Sequence, residues 1–153
     1  MITIELPWAA WYGDGRGHSV SLPDGWDIEI CSMQGGTDIG DDGIRQRLDA
    51  PIGADRLQQL AGKSDSAAIL VDDLSRPTPA FRLLPYLLEQ LHAGGIEQDQ
   101  ITIIGAVAAH RPMDRDDFIK KVGADLVDQY RVVNHNAYEN LEFLGNSSQG
   151  VPI

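Results

Sequence analysis

Residues 67–71, AAILV, form a short apolar run that is followed at once by two acids and the segment Leu-Ser-Arg-Pro-Thr-Pro. Five consecutive apolar residues between polar segments are typical of a strand that is buried on both faces of a parallel sheet. The segment after the turn begins like a helix, because Thr78 suits the N-cap and Pro79 suits the first helical position. This stretch therefore predicts a strand, a turn and a helix, the repeating unit of a parallel α/β fold.

Similar apolar runs and helical patterns extend over most of the chain. The predicted elements are strands 2–6, 27–31, 67–71, 101–107 and 130–134 and helices 44–48, 54–60, 79–93 and 114–122. Strands that alternate with helices through short connections favour right-handed crossovers and a parallel sheet. We therefore predict an α/β fold: a parallel, Rossmann-like three-layer sheet with helices on both faces and an N-terminal β extension. The length of 153 residues favours a single domain, 1–153.

Chemically active side chains follow three of the predicted parallel strands. They are Asp73, Ser75 and Arg76 after strand 67–71, His110 and Arg111 after strand 101–107, and His135 and Asn136 after strand 130–134. Because the carboxyl ends of parallel strands meet at one edge of a sheet, where ligands of open α/β sheets bind, we expect these side chains to be neighbours. Arg76 offers a planar fork for a carboxylate or phosphate, and His110 is the candidate acid/base.

The residues alone leave alternatives open at this edge. His110 is either an acid/base or a hydrogen-bonded structural histidine, and Asp73 either orients that imidazole or caps the neighbouring helix. The sequence contains no Gly-rich dinucleotide fingerprint, no phosphate loop and no His/Cys cluster with metal-ligand spacing. The pattern therefore predicts a site that binds an anion and moves a proton, with no metal site in this chain.

The charge of the chain excludes some classes of partner. The formal net charge is −11, from 23 acids against 12 bases, so we expect neither nucleic acid nor an anionic membrane as a partner. No apolar run approaches the ~20 residues of a membrane-spanning helix, and the N-terminus lacks the pattern of a signal peptide. A single cysteine, Cys31, cannot form an internal disulfide, which favours a cytoplasmic location.

Two motifs, DDLSRPTP at 72–79 and AAHRPMDRDDFIKKVG at 108–123, together resemble the N-terminal domain of the nickel-dependent lactate racemase family. In that family one buried strand ends in an Asp-x-Thr-Arg-Pro-x-Pro motif and the next in a Gly-x-His-Arg motif. Residues 49–64 and 144–153 resemble two further segments of that domain, so the resemblance covers nearly the whole chain. Ser75 stands where the family usually has Thr, and Ala108-Ala109 where it usually has Thr-Gly or a close variant.

The resemblance implies racemisation or epimerisation of a 2-hydroxy acid such as lactate. It implies a nickel pincer nucleotide as the hydride acceptor and two histidines that exchange the hydroxyl proton, of which His110 would be one. By the same motif match, Arg76 binds the substrate carboxylate and Asp73 shapes the substrate site. Contacts to the cofactor are implied for Ser75, Thr78 and Arg111.

Other parts of that family's site are expected outside this chain. The lysine bonded to the cofactor, the second catalytic histidine and the nickel-ligating histidine all follow the point that corresponds to Ile153, and none of Lys63, Lys120 or Lys121 matches the lysine motif. We therefore expect a C-terminal domain of a longer protein to complete the site, and this chain alone to bind no cofactor and to be inactive. The alternatives are a stand-alone domain that binds a small carboxylate or phosphate without catalysis, and an interaction domain without a ligand.

Overall fold

A computed structural model describes residues 1–8, 11–13, 15–31 and 34–153 of the chain. These residues form two compact units, residues 1–43 and residues 44–153. The strands are β1 (Ile2–Pro7), β2 (Gly17–Leu22), β3 (Ala67–Val71), β4 (Ile101–Gly105) and β5 (Arg131–Asn134). The helices are α1 (Gly40–Asp49), α2 (Leu57–Ala61), α3 (Ala80–Ala93), α4 (Arg115–Val122) and α5 (Ala124–Gln129), with a 3-10 turn at Gln98–Gln100.

The first unit contains a two-stranded antiparallel sheet. β1 pairs with β2 in a register that runs from Ile2 opposite Leu22 to Pro7 opposite Gly17. The predicted strand 2–6 is therefore confirmed. The predicted strand 27–31 is wrong, because those residues have no regular structure. No strand was predicted for the segment 17–22, yet it pairs with β1, because its own alternation of polar and apolar residues matches that of β1.

The second unit is built on a three-stranded parallel sheet in the order β3-β4-β5. The central strand β4 has the most buried residues, with Ile101 and Ile103 both 0% exposed. Helices α2 to α5 contribute side chains to the core clusters around these two isoleucines. The α/β class, the parallel sheet flanked by helices and the N-terminal β extension are thus confirmed.

The strand that the sequence predicted most clearly lies at the edge of this sheet. The bounds of β3 agree with the prediction, but its residues alternate between the helix-covered face and solvent, and Leu70 is 69% exposed. The prediction that this strand is buried on both faces is therefore wrong. The apolar run resembles that of an interior strand, whereas the described residues place a neighbouring strand only on its β4 side.

Two helices, α3 and α4, begin close to the candidate site. The start of α4 has an ordinary side-chain cap, whereas the start of α3 does not. Asp114 caps α4 by accepting a hydrogen bond from the Asp117 backbone N–H at 2.9 Å, and Gly123 ends the helix, as the sequence indicated. Thr78 does not cap α3, which is a correction. The N-cap position is occupied by Pro79, and Thr78 Oγ1 instead donates to Asp72 Oδ2 at 2.6 Å.

None of the helices formed by residues 1–8, 11–13, 15–31 and 34–153 combines the length and the apolar character required to cross a bilayer.

Candidate functional site

The turns after β3 and β4 meet at one edge of the parallel sheet, because these two strands are hydrogen-bonded neighbours. Asp73 follows β3 by two residues, and His110 lies in the turn after β4. His110 Nδ1 is hydrogen-bonded to Asp73 Oδ2. The expectation that these two turns share an edge is therefore confirmed, and the pair of side chains forms the centre of the candidate site.

Asp73 is an almost fully buried carboxylate, 8% exposed, with both oxygens occupied. Its Oδ1 accepts hydrogen bonds from Ser75 Oγ at 2.5 Å and from the Ser75 backbone N–H at 2.9 Å. The hydrogen bond from the Ser75 hydroxyl is the largest influence on its pKa. Together with His110 and the Ser75 N–H, it outweighs the opposing effect of burial and lowers the pKa of Asp73 to about 2. Asp73 is consequently ionised at neutral pH.

The ionised state of Asp73 determines which ring nitrogen of a neutral His110 carries the proton. An ionised carboxylate only accepts hydrogen bonds, so Nδ1 of a neutral His110 carries the proton and Nε2 has the free lone pair. The His110 side chain is 57% exposed, and its Nε2 makes no hydrogen bond to any of the described residues. A solvent-facing imidazole nitrogen with a lone pair is the arrangement of a proton acceptor.

The backbone of the turn around His110 has one unusual residue. The His110 N–H donates to Val107 O at 2.9 Å, which closes a tight turn. Within it, Ala108 has a φ of +49°, a region that favours glycine over residues with a Cβ. The turn that presents His110 therefore adopts a backbone conformation that its sequence disfavours.

Arg76 lies in the same turn as Asp73. Its backbone N–H donates to Asp73 O at 3.2 Å. The residue is exposed, and its guanidinium makes no hydrogen bond or ion pair with the part of the chain that the structure describes. An available guanidinium of this kind can bind an anion such as a carboxylate.

Lys121, on α4, contacts the turn that carries Asp73 and Arg76. The sequence did not point to this lysine as part of the site. The lysine is 0% exposed, and its Nζ contacts Asp72 Oδ1 at 2.5 Å and Arg76 O at 3.0 Å. Burial raises the pKa of Asp72, but the hydrogen bonds from Lys121 and Thr78 outweigh this effect and hold the pKa below its usual value. A usable signal was present, since Lys121 stands three residues after Phe118 on the buried side of an amphipathic helix.

Arg111 is bound within the second turn. Its Nη2 donates to Asp117 Oδ2 at 2.6 Å and its Nη1 donates to Pro112 O at 3.1 Å. Asp117 is buried, which raises its pKa, but the hydrogen bonds from Arg111 and the Asp114 N–H more than compensate and the pKa of Asp117 is lowered. Arg111 thus braces the turn that carries His110.

Residues at the end of β5 complete this edge of the sheet. The His135 backbone N–H donates to Gly105 O at 2.9 Å, which places the chain after β5 beside the end of β4. Asn134 was not singled out from the sequence, yet its side-chain amide both accepts from Met113 N at 3.0 Å and donates to Met113 O at 2.8 Å. The Asn136 side chain bonds locally to Tyr138 and Glu139. These contacts make Asn134 a support for the loop after His110.

The described residues contain no group of three or more His, Cys, Asp or Glu side chains that could hold a metal ion.

Comparison with known proteins identifies relatives over almost the whole chain. Residues 12–153 match the family model described as the lactate racemase N-terminal domain. A lactate racemase of Thermoanaerobacterium thermosaccharolyticum is 31% identical over 156 aligned positions, which cover 98% of this chain and 35% of that protein. A lactate racemase of Lactiplantibacillus plantarum is 33% identical over 92 positions, or 60% of this chain and 22% of that protein.

A solved structure shows the same fold. The lactate racemase apoprotein from T. thermosaccharolyticum superposes with a TM-score of 0.70 and 29% sequence identity, over 99% of this chain and 34% of that one. The chain thus spans about a third or less of the length of the relatives that it matches.

Proposed function

The chain belongs to the family of lactate racemase N-terminal domains, and on that basis we propose that it is the N-terminal part of a racemase or epimerase of a 2-hydroxy acid. The observation that carries this proposal is the hydrogen-bonded pair of Asp73 and His110 in the same site as the exposed Arg76. A 2-hydroxy acid has a carboxylate that suits a guanidinium and a hydroxyl that suits a base, so the pattern of groups matches this substrate class.

His110 is the proposed catalytic base. Its Nε2 accepts the hydroxyl proton of the substrate, because Nδ1 already carries the proton that is donated to Asp73. The charged imidazolium that results is stabilised by the ionised Asp73 carboxylate, and it returns the proton when the alcohol is re-formed. Asp73 acts here as an orienting group, since its two oxygens are occupied by Ser75 and His110.

Arg76 is the proposed anchor for the substrate carboxylate. A guanidinium forms two parallel hydrogen bonds to a carboxylate, which fixes the plane as well as the position of the bound acid. The backbone of Arg76 is tied to Asp73 and to Lys121, so the turn that carries the anchor is fixed to the residue that orients the base. This arrangement limits how the hydroxyl approaches His110.

We propose a nickel pincer nucleotide as the cofactor of the longer protein, where it supplies a hydride acceptor for the α-carbon of the substrate. The described residues do not provide a set of metal ligands, so we assign the metal ligands and the covalent attachment to a C-terminal domain outside this chain. The exposed residues Ser75, Thr78 and Arg111 are the proposed contacts to the nucleotide part, with the two hydroxyls available as acceptors because they donate to Asp73 and Asp72. The Arg111 guanidinium already forms hydrogen bonds with Asp117 and with the Pro112 carbonyl within this chain. A cytoplasmic location, consistent with the free Cys31, is part of the same proposal.

Racemisation by the longer protein that contains this region tests the proposal. Starting from one enantiomer of lactate, chiral chromatography measures the appearance of the other. His110→Gln should lower kcat at least about a hundredfold, the usual contribution of a general base, without loss of the folded state.

Arg76→Ala should raise KM about tenfold or more, because a charge-assisted hydrogen-bonded pair is removed. Arg115→Ala is the matched control, because this exposed guanidinium pairs with Asp128, and it should leave both constants unchanged. Wild-type racemisation by His110→Gln would reject the assignment of the base.

A stand-alone anion-binding domain is the second candidate function, and the exposed guanidinium of Arg76 favours it. In that case the longer protein shows no racemisation, whereas the 153-residue chain binds lactate or inorganic phosphate in a calorimetric titration. Binding that is lost in Arg76→Ala but kept in Arg115→Ala would support this second function over the first.

A further inference from the structure

Helix α4 carries two buried charged side chains on one face. Asp117 is 6% exposed and Lys121 is 0% exposed, and they stand four residues apart, one helical turn. Their neighbours Phe118 and Val122 are core residues. Taking charged groups out of water is costly unless each finds a partner, so two such residues on an eight-residue helix require an explanation.

Each of the two charges binds a different turn of the site. Lys121 Nζ contacts Asp72 and the backbone oxygen of Arg76, and so spans the turn that carries Asp73. Asp117 accepts from the Arg111 guanidinium and from the Asp114 N–H, and so holds the segment that follows His110. The helix therefore contacts both turns whose side chains meet in the Asp73–His110 hydrogen bond.

We propose that Lys121 and Asp117 are positioning residues that align the two turns so that Asp73 meets His110 Nδ1. We call these two residues of α4, Lys121 and Asp117, the bracket, because together they hold both turns to one helix. Movement of either turn relative to α4 separates the carboxylate from the imidazole, and His110 then reverts to the tautomer that it prefers in water. The proposed function enters only through the role of His110 as a base.

The chemistry of the bracket favours positioning over stability alone. A buried charge with a partner contributes little net stability compared with an apolar residue of similar volume, and Lys121 and Asp117 are buried while their partners Asp72 and Arg111 are 37% and 69% exposed. Lys121 also uses a second donor on the Arg76 carbonyl, a backbone contact that sets the path of the turn rather than the charge of a side chain. A methionine at 121 would fill the same space but could not make either contact.

The tautomer of His110 in the 153-residue chain provides the test, by nitrogen-15 NMR above the pH at which the ring is charged. Free histidine favours the proton on Nε2, so a predominant Nδ1–H form reports the Asp73 contact. His92 is an internal reference, because its Nδ1 faces the Ile96 carbonyl and its Nε2 faces the Tyr130 hydroxyl, which also requires Nδ1–H. His92 lies on α3 and takes no part in the bracket.

In Lys121→Met the ratio of Nδ1–H to Nε2–H at His110 should fall about fivefold, the factor expected for loss of one ordinary hydrogen bond, while the signals of His92 stay unchanged. Lys120→Met, the same change at the adjacent exposed position, should leave both histidines as in the wild type. Asp117→Asn, which keeps an acceptor for the Asp114 N–H but loses the charge beside Arg111, should shift His110 in the same direction.

Folded Lys121→Met with an unchanged His110 tautomer would overturn the proposal. If that variant does not fold, Asp72→Asn replaces it, since Asp72 is partly exposed and its loss removes the ion pair while Lys121 keeps its contact with Arg76 O. An unchanged tautomer in folded Asp72→Asn and Asp117→Asn would equally overturn the proposal. Because the readout is the imidazole itself, it is independent of whether the longer protein racemises lactate, and failure of one proposal is distinguishable from failure of the other.

Discussion

At the scale of single residues, the site depends on how its hydrogen bonds fix protons. Ser75 keeps Asp73 ionised, and Asp73 in turn decides which nitrogen of His110 is free to accept a proton. The sequence predicted Asp73, Arg76 and His110 as neighbours because each follows a strand of a parallel sheet. Helical spacing places Lys121 on the buried side of α4, but the groups that it contacts there could not be predicted, since they depend on packing between elements that are distant in sequence.

The backbone of Ala108 gives a prediction at this scale. Its φ of +49° costs an alanine about 1 kcal/mol relative to a glycine, and the residue is exposed, so no packing is lost on truncation. Ala108→Gly should therefore raise the free energy of unfolding in urea by up to about 1 kcal/mol, because relief of strain exceeds the added entropy of the unfolded chain. Thermal unfolding of the same variant should show a higher Tm.

Ala109→Gly is the matched control for this change. Ala109 is also exposed, and its φ is not positive, so only the entropic cost of glycine remains and the variant should be less stable than the wild type. Equal effects of the two substitutions would show that the turn does not strain Ala108.

At the scale of elements, the predictions succeeded where local pattern and tertiary environment agree. Strand β3 has the predicted bounds, and α4 begins at the Asp114 cap and ends at Gly123 as its sequence indicates. They failed where pairing decides the outcome: residues 27–31 alternate like a strand but pair with none of the described residues, while 17–22 pair with β1. Pairing is a property of two segments, so one segment's pattern does not determine it.

The contact between α2 and the end of α3 yields a prediction for these elements. A Cβ added at Gly94 would lie 2.4 Å from Ala61 Cβ and 2.6 Å from Gln58 O, distances that require backbone movement. Gly94→Ala should lower the free energy of unfolding by about 1–3 kcal/mol, as overpacking usually does, with a lower urea midpoint at an unchanged m-value.

Gly62→Ala tests whether crowding is the cause. A Cβ at Gly62 meets nothing closer than 3.6 Å, and the residue has helical backbone angles, so this variant should be as stable as the wild type or slightly more stable. Loss of stability in both variants to the same extent would argue against crowding at Gly94.

At the scale of the whole molecule, β3 is an edge strand of the three-stranded sheet, since the part of the chain that the structure describes places a strand only on its β4 side. Val71 O accepts from Ala106 N on the β4 side at 2.8 Å. Since successive residues of a strand point their backbone groups to opposite sides, Ile69 and Val71 face β4 while Ala68 and Leu70 face away from it. The apolar sequence of β3 did not indicate its position at the edge of the sheet, because an edge strand usually carries charged residues or proline.

Hydrogen exchange of individual amides should reveal this asymmetry in the 153-residue chain. The amides of Ile69 and Val71 should exchange about a hundredfold more slowly than those of Ala68 and Leu70, because only the first pair is held in the ladder to β4. The amides of Thr102 to Gly105, the part of β4 that is paired with strands on both sides, should all be protected and serve as the control. Equal protection of all four β3 amides would mean that its outer side is paired in solution.

Asp73 and His110 are separated by 37 positions in the sequence, yet they contact each other from adjacent strands. Their separation is therefore set by the spacing of two hydrogen-bonded strands, about 4.8 Å, and not by the length of the crossover between them. Changes on the exposed surface of the crossover would therefore alter the outline of the protein, while the paired strands keep the two side chains at this spacing. During evolution, such a pair of side chains can be retained while the sequence of the chain that connects them changes.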